Sequence, residues 1–316
     1  LGFAKDSYRD LKSHLLSLGY KEYEIVNAGL NLQKEHSSFD FFRNRIIFPV
    51  MDLRGNVIAF GGRVMDDSLP KYLNTSDTPV FKKRFNLFAL NVAKNTTRDY
   101  IILAEGYMDV IAMHQAGFPQ AVASLGTAFT QQQSIILKRY TNEVLLTYDS
   151  DEAGVRAAMR AIPILKDAGL TAKVINMEPY KDPDEFIKAE GAEEFQKRID
   201  EAETSFFFEL RVLERQYNFR EPESKTAFFK EVSRRLLEFE AGIERNNYIE
   251  AAAERYHLTY EQLFKMVSQT GEKLGGMARA PVPVEPPGQR RKKADDGGLR
   301  SQRLLITWMS LDERKF

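Results

Sequence analysis

Ile101-Ile-Leu-Ala-Glu-Gly-Tyr-Met-Asp109 runs from a short apolar segment straight into a carboxylate and a glycine. About forty residues later the pattern returns, where Val144-Leu-Leu-Thr-Tyr148 leads into Asp149-Ser-Asp151-Glu-Ala-Gly154. A third apolar run, Lys173-Val-Ile-Asn-Met177, is followed by Asp182-Pro-Asp184. Runs of this length bounded by turn residues read as buried strands. Acidic residues at the carboxyl ends of successive parallel strands converge on one sheet edge, which is where α/β proteins bind ligands. Gathered carboxylates repel one another, so the pattern points to a hard divalent cation, Mg²⁺ or Mn²⁺, held by oxygen ligands.

Strands and helices alternate on both sides of this stretch. Strands are expected at 101–104, 121–124, 144–148 and 172–177, each followed by a helix. Gly117 and Gly169 stand where helices need a left-handed stop, and the last helix of the series is expected to end near Gly191. Four such βα units specify a parallel sheet flanked by helices. Upstream, residues 1–36 read as helical, and Arg45–Asp52 and Val57–Val64 read as a hairpin turning at Leu53-Arg-Gly-Asn56. Downstream, helical periodicity without a strand signal covers 192–272. Pro281, Pro283, Pro286, Pro287, Arg290-Arg-Lys-Lys293 and Gly297-Gly298 then give 273–300 a linker composition. The fold class is therefore α/β, with a mixed α/β N-terminal subdomain over 1–98, a parallel-sheet domain over 99–191 and a helical bundle over 192–272. Residues 301–316, with the only Trp (Trp308), read as the opening helix of a further domain, and the chain as a fragment of a longer protein.

Composition narrows the function. The chain has 316 residues and no Cys, which excludes disulfides, thiolate catalysis and Cys-ligated zinc within it. His14, His36, His114 and His257 are scattered without metal-ligand spacing. No apolar run is long enough for a membrane span, and no secretory leader opens the chain. The zero net charge hides an asymmetry: residues 1–98 carry 15 Lys+Arg against 10 Asp+Glu, and residues 99–190 carry 8 against 13. A basic region beside an acidic one suits a protein that holds a polyanion next to a metal-loading pocket. Between Arg43 and Arg84 basic side chains alternate with aromatics, as in grooves that follow a phosphate backbone and stack bases.

Glu105-Gly-Tyr-Met-Asp109, Asp149-Ser-Asp151 and Asp182-Pro-Asp184 together resemble the TOPRIM domain of bacterial DnaG-type primases, and Arg43-Asn-Arg45, Gly61-Gly-Arg63 and Lys71-Tyr-Leu-Asn74 match the same family upstream. The resemblance covers roughly residues 1–270. It implies a DNA-dependent RNA polymerase core that makes short RNA primers from ribonucleoside triphosphates on single-stranded DNA, in the cytoplasm at the bacterial replication fork. It implies Glu105, Asp109, Asp149 and Asp151 as catalytic residues, and Glu105, Asp149, Asp151, Asp182 and Asp184 as holders of Mg²⁺ or Mn²⁺. Arg63, Lys71 and Lys83 are the implied contacts to template or nucleotide phosphates, with Arg43, Arg45 and Asn74 beside them; the choice among Lys82, Lys83 and Arg84 stays open. Zinc is implied only in a missing N-terminal domain, and contact with the replicative helicase in a missing C-terminal one. Two other readings share some of these features. One is another Asp-x-Asp or TOPRIM phosphoryl-transfer enzyme, a phosphatase or nuclease. In phosphatases of the haloacid-dehalogenase type, however, Thr or Val is expected where Ala153 stands, and no Tyr-bearing cleavage domain of a topoisomerase is evident. The other is a non-catalytic nucleic-acid-binding scaffold.

Overall fold

The computed structural model describes residues 2–35, 37–126, 128–240 and 242–274. His36, Thr127, the greater part of the 273–300 linker and the 301–316 segment with Trp308 lie outside the described residues. The chain divides into two compact units, Leu1–Tyr217 and Asn218–Phe316. No helix among the described residues is long and apolar enough to cross a membrane.

The first unit opens with β1 (Gly2–Ala4), α1 (Asp10–Ser17), α2 (Glu22–Asn27) and a small hairpin of β2 (Asn31–Lys34) with β3 (Ser37–Asp40). It continues through β4 (Arg45–Met51), β5 (Val57–Val64) and β6 (Tyr72–Asn74). An antiparallel sheet in the order β1-β4-β5-β6 results. The expected hairpin is its centre. Its turn is fixed by Asp52, whose Oδ1 accepts from the backbone N–H of Arg54 (2.8 Å) and Asn56 (2.9 Å). β1, β6 and the β2–β3 hairpin were not expected from the sequence. Each is three or four residues long, too short for a period-two pattern to register, and each exists by pairing with a neighbour.

After α3 (Leu90–Ala93) the chain builds a second sheet from β7 (Tyr100–Ala104), β8 (Ala121–Ala123), β9 (Glu143–Thr147) and β10 (Thr171–Val174). The intervening helices are α4 (Tyr107–Gln115), α5 (Gln131–Leu137) and α6 (Glu152–Asp167), with α7 (Pro183–Asp200) after β10. The four strands are parallel, as the βα pattern requires. A fifth, β11 (Glu203–Thr204), adds antiparallel at the edge and leads into α8 (Ser205–Glu214), giving the order β11-β10-β9-β7-β8. Within α7, Gly191 leaves the helical conformation (φ +88°, ψ 177°), so the helix opened at Pro183 ends there as expected and a second one runs on to Asp200.

β7 lies inside the sheet between β9 and β8, and Ile101, Ile102, Leu103 and Ala104 are completely buried. A strand covered on both faces must be apolar at every position, which explains the unbroken run. Leu103, Val144 and Leu146 pack one way with Ala158, Ile162 and Phe208; Ile102 and Leu145 pack the other way with Val110, Met113 and Phe186. Each large side chain buried in this way contributes about 1.5–3 kcal/mol. Because β8 lies on one side of β7 and β9 on the other, the connections leave in opposite directions between β7 and β9. This topological switch point opens a crevice at the carboxyl ends of those two strands.

The second unit holds α9 (Pro222–Leu236), α10 (Ile243–Arg255) and α11 (Tyr260–Lys273). Phe228, Val232, Leu236, Ile249, Ala252, Leu263 and Val267 are buried within it. Thr259 caps α11 by accepting from the Gln262 N–H at 3.3 Å.

Candidate active site

Glu105 follows the last residue of β7, and Asp149 stands two residues beyond β9, so the two acids flank the switch point. The other acids are positioned by the helices that follow. Asp151 caps α6, its Oδ1 accepting from the N–H groups of Ala153 (2.8 Å) and Gly154 (2.9 Å). Asp182 caps α7 by accepting from Glu185 N–H at 2.9 Å, with Pro183 at the first helical position. Asp109, in the first turn of α4, accepts from Gly106 N–H at 3.1 Å. Gly154 is required by contact rather than by a turn: a Cβ there would stand 2.0 Å from the Asp149 carbonyl oxygen.

The acids share one electric field. Burial raises the Glu105 carboxyl above the ordinary range, and the charges of Asp149 and Asp151 push it the same way. Asp109, 8% exposed, is pushed up to about 7, first by burial and then by Asp182 and Asp149. Asp149 is raised by burial, an effect opposed by Lys181, whose Nζ lies 3.4 Å from its Oδ2. Asp151 moves the other way, held down chiefly by the Gly154 N–H that it accepts. The three acidic segments singled out in the sequence therefore converge. They do not form a finished cage: among the described residues no three carboxylates or imidazoles are drawn up as a ready set of metal ligands. Two of the five acids are turned to helix caps instead. The donor set nonetheless fits a hard divalent cation. All donors are carboxylate oxygens, and Glu105 Oε1 is buried with no partner, an arrangement that costs free energy until a cation or donor meets it.

The basic side chains divide. Arg63, on β5, has its guanidinium 5.9 Å from the centre of the Tyr72 ring, and its Nε is buried without a partner. Tyr72 feels Arg63 and also Asp109, Asp182 and Asp184, so this corner of the first sheet lies within electrostatic reach of the acids. Lys71 is exposed. Lys83 is half-buried, with its N–H donating to Asp77 Oδ1 (3.0 Å), while Lys82 and Arg84 on either side are exposed. Arg43 lies over the Tyr8 ring at 4.2 Å and donates to the Asp40 carbonyl. Arg45 faces inward: it is 7% exposed and donates to the carbonyls of Pro70 (2.9 Å), Lys71 (3.3 Å) and Gly62 (3.4 Å). Its role in the structure is to hold the loop that carries Lys71. Asn74 is likewise internal. Its Nδ2 donates to the Leu125 carbonyl (3.3 Å), and its Oδ1 accepts from Tyr107 OH.

Sequence reasoning missed several neighbours of the acids. Ser150 sits inside Asp149-Ser-Asp151 and Lys181 directly precedes Asp182-Pro-Asp184, where neither carries a signal of its own beside the carboxylates. Arg160, two turns into α6, lines with Glu105, Gly126, Phe129 and Tyr148 a cleft of about 280 Å³. Its separation of nine residues from Asp151 gave no local signal. Chemically, carboxylates of raised proton affinity at a sheet edge can hold hard cations and can accept a proton from a hydroxyl group.

Comparison with known proteins agrees with this fold. Residues 1–94 match a family model described as the N-terminal domain of the DNA primase catalytic core; residues 102–187 match a Toprim-like model; residues 207–259 match the DnaB-helicase binding domain of primase. The helicase-binding match falls upstream of 301–316, whereas the resemblance implied that contact in a missing C-terminal domain. A DNA primase of Clostridium acetobutylicum is 42% identical over 276 residues, which are 87% of this chain and 46% of that protein. The chain spans less than half the length of the curated relatives it matches first. Among solved structures, a DNA primase domain from Pseudomonas aeruginosa is 33% identical with a TM-score of 0.69, covering 84% of this chain and 85% of that one. A DnaG primase catalytic domain bound to ssDNA is 34% identical with a TM-score of 0.63, covering 72% and 75%.

Proposed function

The chain belongs to the DNA primase family, as part of its catalytic core, and on that footing we propose that it synthesises short RNA primers on single-stranded DNA by metal-assisted nucleotidyl transfer. The observation that carries this reading is Glu105 at the switch point, with an unpartnered buried oxygen in the field of Asp149 and Asp151. Its substrates would be ribonucleoside triphosphates, its template single-stranded DNA and its product an RNA primer. It would act in the cytoplasm at the bacterial replication fork, with the replicative helicase as partner through residues 207–259. Residues 1–98 would hold template, 99–191 would carry the chemistry, and 192–272 would serve as a helical platform.

Primer extension needs attack by a 3′-hydroxyl on an α-phosphate with loss of pyrophosphate. Glu105 is the group we assign to the proton of that hydroxyl, because its burial and its neighbours make it a better base than an exposed carboxylate. Glu105, Asp149, Asp151, Asp182 and Asp184 would hold Mg²⁺ or Mn²⁺. Such ions, when bound, neutralise the triphosphate and polarise the phosphorus centre. Asp149 and Asp151 share the catalytic assignment with Asp109, whose carboxyl is raised by burial and by the charges of Asp182 and Asp149. Arg63, Lys71 and Lys83 would contact phosphates, with Arg43 at the edge of the same face; Arg45 and Asn74 support that face from within.

The test is extension of a short RNA annealed to a single-stranded DNA template, with the chain, ribonucleotides and Mg²⁺ or Mn²⁺. A pre-annealed primer removes any need for initiation. Growth of the RNA supports the proposal. Breakdown of nucleotide or template would favour a phosphatase or nuclease, and template binding with neither outcome would favour a scaffold.

A further inference from the structure

Ser150 lies between the acids of Asp149-Ser-Asp151, yet its hydrogen bonds go to another segment. Its N–H donates to the Lys181 carbonyl at 2.8 Å, and its Oγ donates to the Tyr180 carbonyl at 2.9 Å. On the far side Lys181 N–H donates to the Glu185 carboxylate at 2.7 Å, and Glu185 N–H donates to Asp182 at 2.9 Å. The Lys181 backbone is thus fastened from both directions while its side chain is 61% exposed. The fastening delivers an ammonium to Asp149 at 3.4 Å; of the five acids assigned to the metal, the other one with an ion pair among the described residues is Asp184, with Lys188 of its own helix at 2.6 Å. Each of these three acids feels that positive charge.

We propose that Lys181 is a resident counter-cation of the acidic cluster, a positioning residue that holds Asp149 in place until a divalent ion arrives and that this ion must displace. The inference rests on the metal-holding role assigned to these acids above. Carboxylates crowded at a sheet edge need positive charge nearby to remain ionised together, and a single ammonium supplies part of it. Its exposure is what makes it displaceable. A buried lysine could leave its partner only by disrupting the core, whereas this one swings into water with little loss. An exposed pair of this kind is worth about two- to fivefold in an equilibrium constant, small beside the attraction between a divalent ion and several carboxylates. The cluster is thereby kept assembled without being blocked.

The test is Mn²⁺ binding to the full chain by calorimetry, without nucleotide or DNA. Lys181→Gln should bind Mn²⁺ about two- to fivefold more tightly than the unaltered chain, and Lys181→Arg should stay within about twofold of it. Unchanged or weaker binding by Lys181→Gln overturns the proposal. The Lys181 side-chain NMR signal, assigned by its loss in Lys181→Arg, reports displacement directly and does not depend on how the Gln variant folds. Saturating Mg²⁺ should move it to the position of a free lysine, and a stationary signal overturns the proposal. An unaltered chain that binds no Mn²⁺ would sink the metal reading itself, and this inference with it.

Discussion

Asp109→Asn separates the strain of the acidic cluster from its chemistry. The Asp109 carboxyl rises from an ordinary 3.8 to about 7, through burial first and then through Asp182 and Asp149. Holding it ionised therefore works against folding by at most about 4 kcal/mol, taking about three pH units at about 1.4 kcal/mol each. Losing a negative charge in the first turn of α4 returns about 0.3–1 kcal/mol, and local relaxation lowers the ceiling further. The asparagine should therefore stabilise the first unit by about 1–3 kcal/mol at pH 8, keeping an oxygen to accept the Gly106 N–H. The sign follows from linkage. With the folded value raised, the stabilising effect of the Asp109 proton is complete below about pH 4 and is lost as pH rises through about 7. The two proteins should consequently agree near pH 4 and separate steadily up to pH 7. Amide exchange of Ile101–Ala104 in β7 measures this opening free energy without requiring the whole chain to unfold in one step. Parallel pH profiles would refute the burial argument. Millimolar Mg²⁺ should narrow the gap at pH 8 by neutralising Asp182 and Asp149, and a gap indifferent to Mg²⁺ would show that Asp109 does not sense the charge of those acids.

Glu105→Gln should abolish primer extension while leaving single-stranded template affinity within about twofold; equal loss of both in a binding titration would refute its separate role. Arg63→Ala and Lys83→Ala should each weaken template binding and lower the slope of log affinity against log salt by about 0.7, and an unchanged slope would remove that residue from the phosphate contacts. Gly154→Ala forces a Cβ to within 2.0 Å of the Asp149 carbonyl unless α6 moves. It should cost about 1–3 kcal/mol by amide exchange and reduce extension at least tenfold; normal extension would show that Asp149 tolerates displacement.

The second sheet could be read from the sequence because burial on both faces leaves Ile101–Ala104 and Val144–Leu146 without a polar position, and because Gly117 and Gly169 mark where helices end. β11 could not: two residues at an edge exist only through pairing with Lys173 and Val174. The acids were legible since each follows an apolar run. Their uneven use was not, because whether a carboxylate caps a helix or points into a crevice depends on local backbone turns. The basic residues were the least legible. Arg45 and Arg63 alternate with similar apolar neighbours in adjacent strands, yet Arg45 meets three carbonyls and Arg63 keeps an unpartnered nitrogen. Charge counts cannot separate these two situations. Lys181 escaped notice for a related reason, since its importance comes from a hydrogen bond made by Ser150, thirty-one positions earlier.

Tyr107 fills the space that Gly61 leaves open, where a Cβ would come within 2.7 Å of the ring, and its hydroxyl reaches Asn74 on β6. The same residue begins α4, two positions before Asp109. One aromatic ring thus acts as a gauge block between the two sheets, and under the proposed function it would set how far apart template and reacting phosphorus lie. A smaller side chain there would let that spacing drift, and because the ring is buried among Phe48, Phe81 and Leu125 it would weaken the packing between the sheets as well.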